Sequence, residues 1–200
     1  MPPCPPPLSL DADGWLIDAP GVTRLPSPNV DARPDDEAVS LLVIHNISLP
    51  PGEFGGPYIA DLFLNRLDLD AHPWFARLEG LRVSAHFFVR RDGAIVQFVA
   101  STQRAWHAGV SQYAGRERCN DFSVGIELEG TDTQAFTDAQ YASLAQLDAA
   151  LRARHPIIAV RGHEHIAPGR KTDPGPHFDW SRMARECAWP HDALPDTPTC

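Results

Sequence analysis

The hydrophobic positions fall into short runs separated by turn chemistry. Leu41-Leu-Val-Ile-His45 is four aliphatic residues closed by a polar one, the pattern of a buried strand. Ala85–Arg90 and Ala94–Val99 flank Arg91-Asp92-Gly93, and Asp-Gly between two β-rich runs predicts a hairpin. Ser123–Glu129 alternates strictly, with Val124, Ile126 and Leu128 on one face and Gly125, Glu127 and Glu129 on the other. Ile157–Arg161 is a further short apolar strand that leads into Gly162-His163. The spacing changes over Asp138–Arg154, where Tyr141, Leu144, Leu147 and Leu151 form a helical stripe. Thr137 and Gln140 form a capping box at its start, Phe136 and Tyr141 stand where a hydrophobic staple closes, and Pro156 ends the run. A second helix is predicted over 58–65. Strands interleaved with helices predict an α/β fold, a single domain whose central mixed β-sheet is flanked by helices. The proline-rich start predicts a disordered N-terminal tail over 1–14, and the proline-containing end a C-terminal tail over 188–200. One domain over 15–187 remains.

Composition narrows the function. The 200-residue chain has 43% hydrophobic and 22% charged residues, enough to bury a core without disulfide or metal. Its formal net charge of −9 argues against nucleic acid and anionic membrane as partners, since both need a basic face. No apolar run approaches the roughly 18 residues of a membrane span, and Met1–Gly14 lacks the apolar core of a secretory signal. A cytoplasmic protein is expected. Cys4, Cys119, Cys187 and Cys200 show no metal-binding spacing and are expected to be free thiols. Lys171 is the single lysine among sixteen arginines, which marks it as a place where a compact ammonium is wanted.

Three segments gather chemistry-bearing side chains. His45 ends a strand and is followed by Asn46 and a Gly- and Pro-rich loop, the setting in which binding residues collect. Gly162–His177 packs His163, His165, Lys171, Asp173 and His177 into a turn-rich stretch stiffened by prolines. In extended chain Lys171 and Asp173 project to the same side, so the ammonium is expected beside that carboxylate. Glu127 and Glu129 share the polar face of an alternating strand. If that strand is central, one or both must enter a polar cavity, where a buried carboxylate needs a partner or a metal nearby, or else its pKa rises until it is neutral. Together these segments supply two imidazoles, a carboxylate, a spare glutamate and a lysine, the composition of a hydrolytic zinc site with an open water position. Spacing leaves alternatives open: His163 with His165 as a chelating pair, His86 or His107 in place of His45, and Glu129 in place of Glu127.

The runs VIHNISLPPGEFGGPYI (43–59), LRVSAHFFVRRDGAIVQFV (81–99), RAWHAGVSQYAGRERCNDFSVGIELEGTDT (104–133) and GHEHIAPGRKTDPGPHFDW (162–180) resemble the zinc N-acetylmuramoyl-L-alanine amidase family. Its fold is shared with peptidoglycan recognition proteins. The likeness is strongest to its cytosolic branch, the 1,6-anhydro-N-acetylmuramoyl-L-alanine amidases (AmpD type) of bacterial cell-wall recycling. The resemblance implies Zn2+ held by His45, His163 and Asp173, with Glu127 as general base and Lys171 as the cation that steadies the oxyanion. It implies Asn46, Arg82, Trp106 and Arg118 around a substrate groove. Arginines there suit bidentate pairing with peptide carboxylates, and Trp106 offers a flat apolar face. His165 stands where the branch commonly has Asp, and Phe87 where it commonly has Cys; neither position is a ligand or catalytic one.

The implied reaction is hydrolysis of the amide between the muramic lactyl group and L-alanine of a small anhydro-muropeptide. By the same resemblance the host is a Gram-negative bacterium, with an indirect effect on β-lactamase induction. The sequence gives no oligomeric state; a monomer is expected. The competing reading is a non-catalytic muropeptide-binding module, which in this fold lacks at least one zinc ligand.

Overall fold

The aliphatic runs become the strands of a six-stranded mixed sheet in the computed structural model, which describes residues 7–195. The strands are β1 (Val22–Arg24), β2 (Leu41–Ile47), β3 (Phe87–Val89), β4 (Ile95–Gln97), β5 (Ser123–Glu129) and β6 (Ala159–Gly162). Their order across the sheet is β1-β4-β3-β5-β2-β6. Only β3 and β4 pair antiparallel, joined by the predicted Asp92-Gly93 turn, in which Gly93 takes φ +87°. The other four pairings are parallel. Parallel pairing puts the carboxyl ends of β2, β5 and β6 at one edge of the sheet, the edge where open α/β sheets hold ligands.

Among the described residues the α-helices are α1 (Tyr58–Phe63), α2 (Asp138–Arg154), α3 (His163–Ile166) and α4 (Trp180–Glu186). Each face of the sheet is packed by different elements. Val124, Ile126 and Leu128 of β5 and Leu42 and Ile44 of β2 bury against Tyr141, Leu144, Leu147 and Leu151 of α2 and Met183 of α4. Each such side chain contributes about 1.5–3 kcal/mol of burial. On the reverse face, Phe88 and Val96 pack with Ile59 and Phe63 of α1, and Leu41 and Val43 pack with Phe122 and Ile166.

The capping box closes as predicted. Thr137 Oγ1 accepts from Gln140 N at 3.1 Å, and Gln140 Oε1 accepts from Thr137 N at 3.0 Å. Gln140 Nε2 then donates to the carbonyls of Val89 and Glu129, so the cap also ties the ends of β3 and β5. The rings of Phe136 and Tyr141 meet through Phe178, which both contact.

Three boundaries differ from expectation, each for a local reason. The helix predicted over 58–65 stops at Phe63, because Asn65 turns left-handed at φ +58° and pairs its amide with Asn29. The N-terminal tail is shorter than 1–14: Leu8 and Leu10 pack on the main core, and Leu10 bridges Leu16. The C-terminal tail is likewise shorter than 188–200. Trp189, Ala193 and Leu194 are buried in the same core, and Trp189 Nε1 donates to Asp148 Oδ1 at 2.8 Å. Apolar residues spaced between the prolines were enough to dock this segment. Residues 1–6 and 196–200 of the expected tails, with Cys4 and Cys200, lie outside the described residues. Cys119 and Cys187 are free.

Candidate metal centre

His45 lies on the reverse face of β2, beyond Leu41 and Val43, where the apolar packing ends. His45 and Glu127 are register partners on adjacent parallel strands, so both side chains leave the same face of the sheet. β6 runs beside β2 and ends at Gly162, so His163, the first residue of α3, stands next to His45. A Cβ at Gly162 would lie 2.5 Å from Pro174 Cδ and 2.8 Å from His165 Nδ1. The bare glycine lets the Asp173-Pro174 segment fold back over the strand end. Glu164 N donates to Asp173 O at 2.9 Å and fixes that return.

Three ligand atoms converge there. His45 Nδ1 is 3.1 Å from His163 Nδ1 and 2.9 Å from Asp173 Oδ2, and His163 Nδ1 is 3.1 Å from the same oxygen. A tetrahedral ion with 2.0–2.1 Å bonds separates its ligand atoms by about 3.3 Å, a few tenths of an ångström more. The proton chemistry makes the same point. His163 Nε2 faces the carbonyl of Ala108 at 3.1 Å, and a carbonyl only accepts. The neutral ring therefore carries its proton on Nε2 and turns a bare Nδ1 lone pair toward a carboxylate oxygen. Such a meeting of acceptors needs a cation between them, a proton or a metal ion. The residues present fit a zinc ion, and these three alone among the described residues form a group of metal-binding side chains close enough to share one.

Burial shapes the charges around this point. Desolvation pushes His45 down to about 4, so its ring is neutral at physiological pH. Burial works to raise the Asp173 carboxyl, but the close approach of the His163 and His45 imidazoles outweighs it and holds the group well below the usual carboxylate range. Glu127 is raised well above the usual range, by desolvation first and by the Asp173 charge second. Its Oε2 is buried with no hydrogen-bond partner. Glu129, two residues on, is fully engaged: Oε1 accepts from Gly55 N at 2.6 Å and Oε2 from Arg91 N at 3.0 Å. The structure therefore separates the two glutamates into one poised group and one that ties loops together.

The competing histidines are also accounted for. His165 Nδ1 accepts from Gly162 N, and its ring packs edge-on against Trp180. His86 Nδ1 accepts from Gly125 N, and its Nε2 donates to the Gln103 carbonyl. His107 stands behind His45, with its Nδ1 2.9 Å from His45 Nε2. Spacing had offered His107 only as a substitute for His45; its place as a neighbour was missed, because nothing local in RAWHAG signals it.

Lys171 corrects one expectation. Its side chain is exposed, and among the described residues no ion pair within 4 Å joins it to Asp173, whose Oδ2 is turned to the histidines. Its charge nonetheless acts on His45 and Glu127, as the weakest influence on each. The other four groove candidates are dispersed. Asn46 Nδ2 donates to Asp132 Oδ1 at 2.6 Å and to the Pro174 carbonyl at 3.0 Å, so it braces the loop that carries Asp173. Trp106 is half-buried, with Nε1 donating to Asp31 Oδ2 at 2.7 Å. Arg118 is exposed and pairs with Asp121 at 3.1 Å, and Arg82 is exposed.

A mixed sheet that presents two imidazoles, a carboxylate and an unpaired buried glutamate at its strand ends defines the class, a single-domain α/β amidase. The chain belongs to the N-acetylmuramoyl-L-alanine amidase family, whose model matches residues 35–176. It is 65% identical over 172 residues to the 1,6-anhydro-N-acetylmuramyl-L-alanine amidase AmpD of Salmonella typhimurium, spanning 85% of this chain and 90% of that protein. Among solved structures, a selenomethionine derivative of AmpD is 61% identical and superposes with a TM-score of 0.84, over 88% of this chain and 98% of the other. The amidase AmiD of Escherichia coli, solved with anhydro-N-acetylmuramic acid-L-Ala-D-gamma-Glu-L-Lys, is 28% identical with a TM-score of 0.55, over 88% of this chain and 65% of AmiD.

Proposed function

We propose that this chain hydrolyses the amide between 1,6-anhydro-N-acetylmuramic acid and L-alanine in muropeptides released during peptidoglycan recycling. The unpaired, buried Oε2 of Glu127 beside the His45–His163–Asp173 cluster carries this reading. A binding module has no use for an uncompensated carboxyl, whereas a hydrolase needs one as its proton carrier. His45, His163 and Asp173 would hold zinc, which when bound supplies Lewis acidity and lowers the pKa of a water to about 7. Glu127 Oε2 takes the proton of the attacking water as its oxygen bonds to the carbonyl carbon. The same carboxyl returns that proton to the alanine nitrogen as the C–N bond breaks. Lys171, exposed and close enough for its charge to act on Glu127, offers an ammonium to the carbonyl oxygen as negative charge develops there. Arg82 and Arg118 would pair with stem-peptide carboxylates, Arg118 through the nitrogens its Asp121 pair leaves open, and Trp106 would lie against the sugar or peptide, with Asn46 holding the Asp173 loop.

The substrate is small and diffusible, and no helix of the described residues is long and apolar enough to cross a membrane. By likeness to the anhydro-muropeptide amidases of recycling, we place the enzyme in the cytoplasm and expect a monomer. The deciding experiment is a mass-spectrometric cleavage assay on chelator-stripped protein, before and after stoichiometric zinc. Free anhydro-sugar appearing only with zinc is the expected outcome. Folded, zinc-loaded protein that binds muropeptide without cutting it would instead make the chain a recognition module.

A further inference from the structure

The far nitrogens of the two clustered imidazoles are held by consecutive residues of one loop. His107 meets His45 Nε2 through its side chain, and Ala108 meets His163 Nε2 through its carbonyl. The loop is itself pinned. Asn120 Oδ1 accepts from both His107 N at 3.1 Å and Ala108 N at 2.8 Å. Arg33 in turn holds the backbone after it, donating to the carbonyls of Asn120, Asp121 and Ser123 at 2.9–3.1 Å. The His107 ring lies flat on β5 over Gly125, where an added Cβ would come within 2.5 Å of it. Its Nε2 is 3.2 Å from Ser123 Oγ. The ring is thus held by the Gly125 backbone on one side and by hydrogen bonds at both nitrogens.

We propose that His107 and Asn120 are positioning residues for the metal centre: together they set His45 and His163 as Nε2–H tautomers that both present Nδ1 inward. The proposal rests on the reading of His45, His163 and Asp173 as a metal site. In this arrangement His45 Nε2–H donates to His107 Nδ1, and His107 Nε2–H donates to Ser123 Oγ. The Ala108 carbonyl accepts from His163 Nε2–H, and it also accepts from Arg170 at 3.0 Å. The single loop then acts on both ligands at once, because displacing it removes the acceptor from each ring. Outer hydrogen-bond partners of this kind typically govern metal affinity by 10–100-fold.

The test is a zinc titration of the full chain against a chromogenic chelator. His107→Phe keeps the ring volume over Gly125 and deletes the acceptor, and zinc binding about 10–100-fold weaker is expected. His107→Gln restores an acceptor oxygen and is expected to recover most of that loss; Asn120→Ala is expected to weaken zinc without touching a ligand. Wild-type affinity in His107→Phe, or equal weakness in Phe and Gln, would overturn the proposal. Should His107→Phe not fold, 15N imidazole spectra of the zinc-loaded wild type decide, with both ligands expected to bond through Nδ1 and keep Nε2–H. Coordination through Nε2 would refute it. A wild-type chain that binds no zinc would sink the metal reading itself, a distinct failure.

Discussion

Glu127 and Glu129 stand two residues apart on one face of β5, and their surroundings set them opposite tasks. Glu129 spends both oxygens on backbone donors, while Glu127 keeps one buried oxygen free beside the imidazoles. In the metal-free protein, burial and the Asp173 charge raise Glu127, so the folded state holds a proton the unfolded chain releases above pH ~4.3. Stability then falls as pH rises from that value through the folded pKa, and stays lowered beyond it. Glu127→Gln should accordingly melt higher than the parent at neutral pH in metal-free form, with the gain shrinking toward pH 4. Melting curves across pH that coincide for the two proteins would contradict the raised pKa. Glu127→Ala is expected to keep zinc and lose turnover, whereas Asp173→Ala loses both. Metal analysis beside the cleavage assay separates the two.

At the scale of elements, the site depends on two glycines that do nothing chemical. Gly125 leaves room for the His107 ring on β5, and Gly162 leaves room for Pro174 at the end of β6. A methyl at either place must displace a ring or a backbone segment that holds a ligand. Gly125→Ala should therefore lower zinc affinity and cost about 1–3 kcal/mol through overpacking, as read by zinc titration and urea unfolding. An unchanged zinc affinity would mean the loop relaxes freely. The main elements were legible in the sequence, since the period-two alternation of β5 and the capped stripe of α2 depend only on near neighbours. The helix end at Phe63 was less so, because Asn65 turns on a partner, Asn29, far away in the chain. The docking of Trp189 and Leu194 was hidden for the same reason: their receiving surface is built by α2 and α4 together.

For the molecule as a whole, the three residues proposed to hold zinc join β2, the start of α3 and the loop that returns over β6. Zinc that binds only this folded arrangement stabilises it by mass action, by about 4 kcal/mol when free zinc exceeds Kd a thousand-fold. Chelation should lower the melting temperature and zinc should restore it, while Asp173→Ala should show no zinc response; a calorimetric scan checks both.

The sequence by itself determined the α/β class, the hairpin, the capped helix and the residue types of a His, His, Asp, Glu and Lys chemistry, and likeness to a family chose among them. The tertiary structure alone showed what surrounds each candidate: the His165 ring is spent on Gly162, Glu129 is tied to Gly55 and Arg91 while Glu127 Oε2 has no partner, and His107 stands beside His45. It also withdrew the Lys171–Asp173 pair. Periodicity reports which way a side chain faces along its own element. Which side chains meet is decided by strand order and register, pairings between residues as far apart in sequence as His45 and Asp173, and no local pattern encodes them.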